Sequence, residues 1–378
     1  MNQAVIVEAY RTPIGKKGGK LRGIGPERLA AEVMKKLVRD TAIDPEQIDD
    51  IILGNAVGPG GNLARLSSLV AGFPVEVPGV TIDRQCGSGL EAINIAARLV
   101  QSGAGELYLA GGTESTSRAP LKLENHDQDQ EPRIYSRARF SPEEWGDPEM
   151  GDAAENVAER YGVTREEQDC YALESYRKTI LSLENGAFRK EVVPIDSVDL
   201  DESPRPSTNY EKLLRRMIPA FRKNGSVTAG NSCGLNDGAS IALVMSQKKA
   251  RSLGLQPKLA FIDAVATGVD PKFLGIGPVP AVRRLLERNK LSISDIDLVE
   301  FNEAFASQVV ASLKQLEIPW EKVNRGGGAI ALGHPYGASG AILVTRLCRE
   351  MQRANGRIGI ATLGIGGGIG LATLFERV

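Results

Sequence analysis

Apolar residues come in two rhythms along this chain. Ala4-Val5-Ile6-Val7 is an unbroken apolar run, the pattern of a strand buried on both faces. From Glu27 to Val38 the apolar positions recur at helical spacing. Ile51-Ile52-Leu53 predicts a second strand, and Thr81-Ile82 a third that runs into Gly-rich Cys86-Gly87-Ser88-Gly89. Leu90 to Val100 returns to helical spacing, and Leu107-Tyr108-Leu109-Ala110 predicts another strand. Strands alternating with helices point to an α/β architecture.

The same order returns in the second part of the chain. Gly23-Ile24-Gly25-Pro26 reappears as Gly275-Ile276-Gly277-Pro278, 252 residues later. Ile48-Asp49 precedes Gly54-Asn55, and Ile296-Asp297 precedes Phe301-Asn302, with 247 residues between the two Asn. Ser88-Gly89, a helix, Gly105 and a strand are matched by Ser339-Gly340, a helix, Gly356 and a strand, 251 residues on. Three signals in one order at nearly one offset predict a duplicated domain rather than a solenoid, whose periods are far shorter.

Thr116 to Cys233 has no counterpart in the repeat. It is richer in charge and Pro, with Glu124 to Arg133 and Asp199 to Arg205 reading as surface loops. A helix is predicted from Asp152 to Tyr161 and on through Tyr176, with an apolar stripe at Ala154, Val157, Ala158 and Tyr161. This segment reads as an insertion covering a two-domain core. The expected boundaries are 1–116 with 234–256 for the N-terminal domain, 117–233 for the insertion and 257–378 for the C-terminal domain.

Composition narrows the function. The 378 residues carry 46 Lys plus Arg against 47 Asp plus Glu. A net charge of −1 offers no electrostatic case for nucleic acid or an anionic membrane as main partner. With 42% hydrophobic residues the chain is too apolar for disorder. Cys86, Cys170, Cys233 and Cys348 are scattered without a CxxC, so no metal site is expected. Glu8 interrupts the first apolar run, no stretch has the length of a membrane span, and a cytoplasmic protein with reduced thiols is expected. Only two His, His126 and His334, are available for histidine chemistry.

Cys86 lies between a strand and a helix. A helix N-terminus lowers a thiol pKa, and the flanking Gly admit a substrate to the backbone. A nucleophile is one reading; a small buried apolar side chain is the other. His334, in Gly333-His334-Pro335, sits on a loop that Pro and Gly keep irregular. It suits a base toward a thiol or a donor to an oxyanion, or else a loop His satisfied by backbone. Asn302 follows the predicted strand Leu298 to Phe301. It is either a helix N-cap or a group at the strand ends, where α/β sheets bind ligands. Gly364-Ile365-Gly366-Gly367-Gly368 offers backbone N–H groups to an anion. It lacks the βαβ setting of a dinucleotide site, so no nicotinamide cofactor is expected. Arg98, Arg346 and Arg349 read as solvated faces or ion pairs, with no assigned role.

Over essentially its whole length the sequence resembles the thiolase family, the acetyl-CoA acyltransferases. The resemblance rests on Asp83-Arg84-Gln85-Cys86-Gly87-Ser88-Gly89, Gly111-Gly112-Thr113-Glu114-Ser115, Thr228-Ala229-Gly230-Asn231, Asn302-Glu303-Ala304-Phe305 and Gly333-His334-Pro335 with Gly337-Ala338-Ser339-Gly340. It implies a thiolase fold, a duplicated five-layered α-β-α-β-α core with an inserted loop domain. It also implies an acyl enzyme on Cys86, with His334 activating the thiol. Asn302 would hold a water that makes one oxyanion hole with His334, and the N–H groups of Cys86 and Gly366 would make the other. Arg205, Met150, Phe221, Ala229, Cys233 and Phe305 would line the path of acyl-CoA and CoA. CoA thioesters are substrates here, and no cofactor or metal is implied. The family forms homodimers or homotetramers. Ketoacyl synthases with two catalytic His are disfavoured, because His126 falls in the insertion.

Three positions depart from the family pattern. Gly364 stands where the family has a second Cys, which moves the proton on the substrate α-carbon. Cys233 stands where it usually has Ser, and Glu149 where it often has His. The expected activity is acetyl-CoA C-acetyltransferase, interconverting two acetyl-CoA with acetoacetyl-CoA and CoA. One alternative, raised by Gly364, is acyl transfer or thioester hydrolysis without Claisen chemistry. The other is a catalytically degenerate CoA-binding protein.

Overall fold

The computed structural model describes residues 2–125, 132–135 and 137–378, so His126 lies outside the described residues. The first half runs β1 (Ala4–Arg11), β2 (Gly15–Lys16), α1 (Pro26–Thr41), β3 (Asp50–Gly54), α2 (Leu63–Val70), β4 (Gly79–Ile82), α3 (Ser88–Ser102) and β5 (Leu107–Ser115). There follow a small hairpin, β6 (Lys122–Glu124) and β7 (Arg133–Tyr135), and the helices α4 (Met150–Tyr161), α5 (Arg165–Glu184) and α6 (Tyr210–Arg216). β8 (Asn236–Ser246) and α7 (Gln247–Ser252) return to the first half. The second half holds β9 (Leu259–Gly268), α8 (Pro278–Asn289), β10 (Leu298–Phe301), α9 (Ala306–Leu316), α10 (Ala329–Leu332), α11 (Tyr336–Arg353), β11 (Ile358–Ile365) and β12 (Ile369–Arg377).

The repeat read from the sequence is written into the sheet. The first half orders its strands β1-β8-β5-β3-β4, and the second β9-β12-β11-β10. Pairing follows suit. β3–β5 and β10–β11 are parallel, while β1–β8, β5–β8, β9–β12 and β11–β12 are antiparallel. A short antiparallel contact between β1 and β9, Val5 with Ala260 and Ile6 with Leu259, joins the halves into one hydrogen-bonded sheet. Five layers result. One apolar cluster packs α1 on the outer face of the first half, and another packs α8 and α9 on that of the second. The third, built on α3 and α11, fills the space between.

α3 and α11 approach closely because both carry Gly at the crossing. A Cβ on Gly89 would lie 2.6 Å from the Gly337 carbonyl, and one on Gly340 would lie 2.4 Å from the Leu90 nitrogen. The N-termini of both central helices are thereby brought to one place, and these are the ends that carry Cys86 and the His334 loop.

Two sequence expectations change. The predicted long helix is two. Gly162, at φ +60°, ends α4, and a capping box of Thr164 and Glu167 starts α5. Asp199 to Arg205 is no free surface loop: Asp201 is buried against Arg11, with Nη1 and Oδ1 2.7 Å apart. Arg11 and Arg346 share Glu191 and flank the Phe188 ring at 5.2 and 4.5 Å. Arg346 and Arg349 are therefore ion pairs (with Glu191 and Glu350, and with Glu8), whereas Arg98 donates to the Ala264 carbonyl.

Candidate active site

Asp83-Arg84-Gln85-Cys86 folds into a tight turn after β4. The Asp83 carboxylate accepts from the Gln85 N–H at 2.6 Å, and Gln85 takes a left-handed φ of +46°. Ser88 Oγ accepts from Arg84 N–H at 2.8 Å and donates to the Gln85 carbonyl at 2.6 Å. The turn lifts Cys86 off the end of the sheet and places it just before the N-terminus of α3. Burial pushes the thiol up to about 12, opposed by the backbone N–H groups of Cys86 and Gly366, which point at the sulfur. The expectation of a lowered thiol pKa is corrected: desolvation outweighs the helix terminus, and the thiol is neutral at rest. To act as a nucleophile Cys86 would need a base.

His334, on the loop before α11, is the candidate for that base. Its backbone N–H donates to Asn236 Oδ1 at 2.9 Å, and Gly333 turns the chain at φ +116°. A Cβ at position 333 would lie 2.3 Å from the Asn236 amide carbon. Nδ1 is 2.6 Å from Ser339 Oγ, while Nε2 is buried without a hydrogen-bond partner. Burial holds the imidazole down to about 4, so it is neutral at pH 7 and able to accept a proton.

Asn302 is not a helix N-cap. α9 begins at Ala306 with Phe305 in the cap position, three residues of chain too late for Asn302 to serve. Its backbone N–H donates to Thr362, and its side-chain Nδ2 is buried and unpaired. Unpaired buried donors are rare and mark places where a ligand or water completes the bonding. Gly366 is covered by Phe140, whose ring would lie 2.9 Å from a Cβ there. Among the described residues no cluster of three or more His, Cys, Asp or Glu could hold a metal ion.

The segment 226–235 ties the site together. Cys233 N–H donates to the Ala304 carbonyl at 2.9 Å, Ser232 bridges Phe305, and Leu235 bridges His334. Cys233 thus sits between the Asn302 and His334 segments, where burial raises its thiol pKa and the nearby Cys86 raises it further. The Phe221 ring packs edge-on against Phe305 at 5.9 Å, and Gly151, next to Met150, lies against the same ring. Ala229 is exposed on this rim. Arg205 is also exposed. It joins the rim only indirectly, through Tyr210, Tyr176 and the Gly230 carbonyl.

Domain-family comparison matches "Thiolase, N-terminal domain" to residues 4–248 and "Thiolase, C-terminal domain" to residues 255–377. The chain belongs to the thiolase family. Relatives from Staphylococcus haemolyticus and Bacillus subtilis are provisionally named acetyl-CoA C-acetyltransferase, VraB and YhfS. They are 49% and 48% identical, over 100% and 99% of this chain and 99% of each relative. The crystal structure of the Bacillus anthracis acetyl-CoA acetyltransferase matches with a TM-score of 0.93 and 41% identity, covering 100% of this chain and 99% of that one.

Several supports of this thiolase site escaped sequence reading. Glu303 is buried and accepts from Tyr171, Ser175, Asn324 and the Ile330 N–H, locking the Asn302 segment to α5 and α10. Glu114 accepts from Asn55, Ala56 and Gly337, tying the first half to the His334 loop. Tyr336 stands edge-on to the His334 ring at 5.2 Å. Glu114 and Glu303 stand within the family motifs, but buried partners cannot be read from spacing. The departures also acquire a geometry. A Cβ at Gly364 would lie 2.6 Å from Gln308 Nε2, so the Gln308 amide occupies the space a side chain there would need. Glu149 is exposed and paired with Arg137 at 3.1 Å.

Proposed function

We propose that this thiolase interconverts two acetyl-CoA with acetoacetyl-CoA and CoA, through an acyl group carried on Cys86. The observation that carries this reading is a neutral thiol beside two backbone N–H groups, with a neutral His whose Nε2 has no partner on the loop before the other central helix. His334 takes the thiol proton as Cys86 attacks the thioester carbonyl. The N–H groups of Cys86 and Gly366 then receive the oxyanion, and CoA leaves with the proton. In the second half-reaction a water held by Asn302 Nδ2 donates to the thioester enolate and stabilises it. The rim of Met150, Phe221, Ala229, Cys233 and Phe305, with Arg205 outside it, receives the CoA portion. The names of the relatives support the acetyl group as the unit transferred.

Gly364 favours a second reading, acyl transfer or hydrolysis without carbon–carbon chemistry. A general acid/base contributes about 10²–10⁴-fold, and position 364 has no side chain to supply it. Cys233, the thiol beside Cys86, is our candidate for the missing group. Thiolysis of acetoacetyl-CoA by CoA decides between the readings. Turnover well above a Cys86→Ala control, falling in Cys233→Ser, supports the first. Acetylation of Cys86 without thiolysis supports the second.

The chain also has a surface suited to self-association, as a homodimer or homotetramer. β4 ends the sheet with its outer edge unpaired among the described residues. Leu66, Leu69, Val70, Val75 and Val80 are exposed around it. The four Cys are free, which suits the reducing cytoplasm, and no helix of the described residues is long and apolar enough to cross a membrane.

A further inference from the structure

Glu300 lies on β10, two residues before Asn302, and is only 2% exposed. Two residues before Asn55, the repeat holds Leu53 in the apolar core. A carboxyl has thus replaced a leucine at the base of the second half only. It forms no hydrogen bond with any described residue. Instead it lines a cavity of about 20 Å³ with Asn302, Asn324, Ser339 and Arg346. Arg346, 2% exposed, keeps its Nε buried and unpaired. A volume of roughly 10–15 Å³ holds one water when two to four polar groups surround it. Glu300, Arg346 and Ser339 meet that requirement.

We infer that Glu300, acting through Ser339, is a positioning residue that fixes the tautomer of His334. The inference rests on the reading of His334 as the base. For Nε2 to accept the Cys86 proton, the ring hydrogen must sit on Nδ1, and Ser339 Oγ must accept it across their 2.6 Å contact. The Ser339 hydrogen must then point elsewhere. It has no other acceptor in the hydrogen bonds of the described residues, and Arg346 offers only hydrogens. The Glu300 carboxyl, directly or through one water, is the acceptor that gives the chain a single direction: Nδ1–H to Ser339, Ser339 to Glu300. Burial and the neighbouring Glu350, Glu191 and Glu303 raise the Glu300 pKa against the pull of Arg346, and a protonated carboxyl still accepts at its carbonyl oxygen. Without Glu300, Ser339 turns its hydrogen back to Nδ1. The ring hydrogen then moves to Nε2, where it blocks the thiol proton. No proton crosses the chain during catalysis.

The chain has only two His, so the ¹⁵N imidazole spectrum is simple and His126→Gln assigns it. In the wild-type protein His334 carries its hydrogen on Nδ1. In Glu300→Leu the hydrogen moves to Nε2, and acetylation of Cys86 by acetyl-CoA slows by about tenfold, a fraction of what a general base contributes. Glu300→Gln, whose carbonyl accepts, keeps the tautomer and the rate. If the leucine variant does not fold, Glu300→Met makes the same test. A folded variant with the wild-type tautomer and acetylation rate overturns the inference. His334→Ala separates the two readings. If it acetylates normally, His334 is not the base; if it fails while Glu300→Leu is normal, only the role of Glu300 falls.

Discussion

The two halves of the molecule place matching residues at matching points and put them to different work. Asn55 follows β3, and Asn302 follows β10. The Asn55 amide is spent on the Thr113 carbonyl and the Glu114 carboxylate, whereas Nδ2 of Asn302 is left bare. Ser88 and Ser339 stand in the first turns of the two central helices. Ser88 braces the backbone of the Cys86 turn, whereas Ser339 holds the His334 ring. The first half delivers the candidate nucleophile and satisfies the Asn55 and Ser88 side chains that stand near it. The second delivers groups whose bonding is unfinished. A duplicated frame thus gives one site in which one half is rigid by internal bonding and the other is completed by substrate.

Paired substitutions break or sharpen this comparison. Asn302→Ala should lower kcat by about 10²-fold, in the range of a lost oxyanion donor, with little change in Tm. Asn55→Ala should do the reverse. Two buried acceptors lose their donor, for about 1–3 kcal/mol each, so Tm falls more than kcat. Equal losses of kcat in the two variants would remove the distinction. For the serines the effects are smaller. Ser88→Ala should cost about 1–2 kcal/mol in denaturant unfolding, as two local bonds are lost. Ser339→Ala should cost less stability but slow Cys86 acetylation; unchanged acetylation would detach Ser339 from His334.

The smallest effect concerns Glu114, which ties the halves together. Burial raises its pKa from 4.5 to about 7, against the opposing N–H donors of Ala56, Gly337 and Val57. The folded state therefore binds this proton more tightly than the unfolded state. The associated stability is full below about pH 4.5 and is lost as pH rises through about 7. Glu114→Gln should flatten the stability profile over that window, measured by urea unfolding at several pH values. A wild-type slope in the variant would assign the window to other groups.

Much of the frame was legible because strands and helices announce themselves by period. Ile51–Leu53, Leu90–Val100 and Leu298–Phe301 lie inside observed elements, and the repeat reappears as the same order and pairing of four strands in each half, with β4 added to the first. The break at Gly162 was missed because the apolar stripe continues across it. The capping role considered for Asn302 failed because α9 starts late, which depends on how Phe305 bridges Ser232.

The sequence by itself determined the duplicated α/β order, the rarity of His and the motifs that mark the family, since these depend on residue identity and near neighbours. Only the tertiary structure decided which of two equivalent Asn is spent and which is free. It alone showed that burial reverses the expected shift of the Cys86 thiol, and that Gln308 fills the space beside Gly364. Each of these depends on what lies across the fold from a residue, tens to hundreds of positions away. Desolvation and hydrogen bonding are set by that surrounding, and no local pattern in the chain records it.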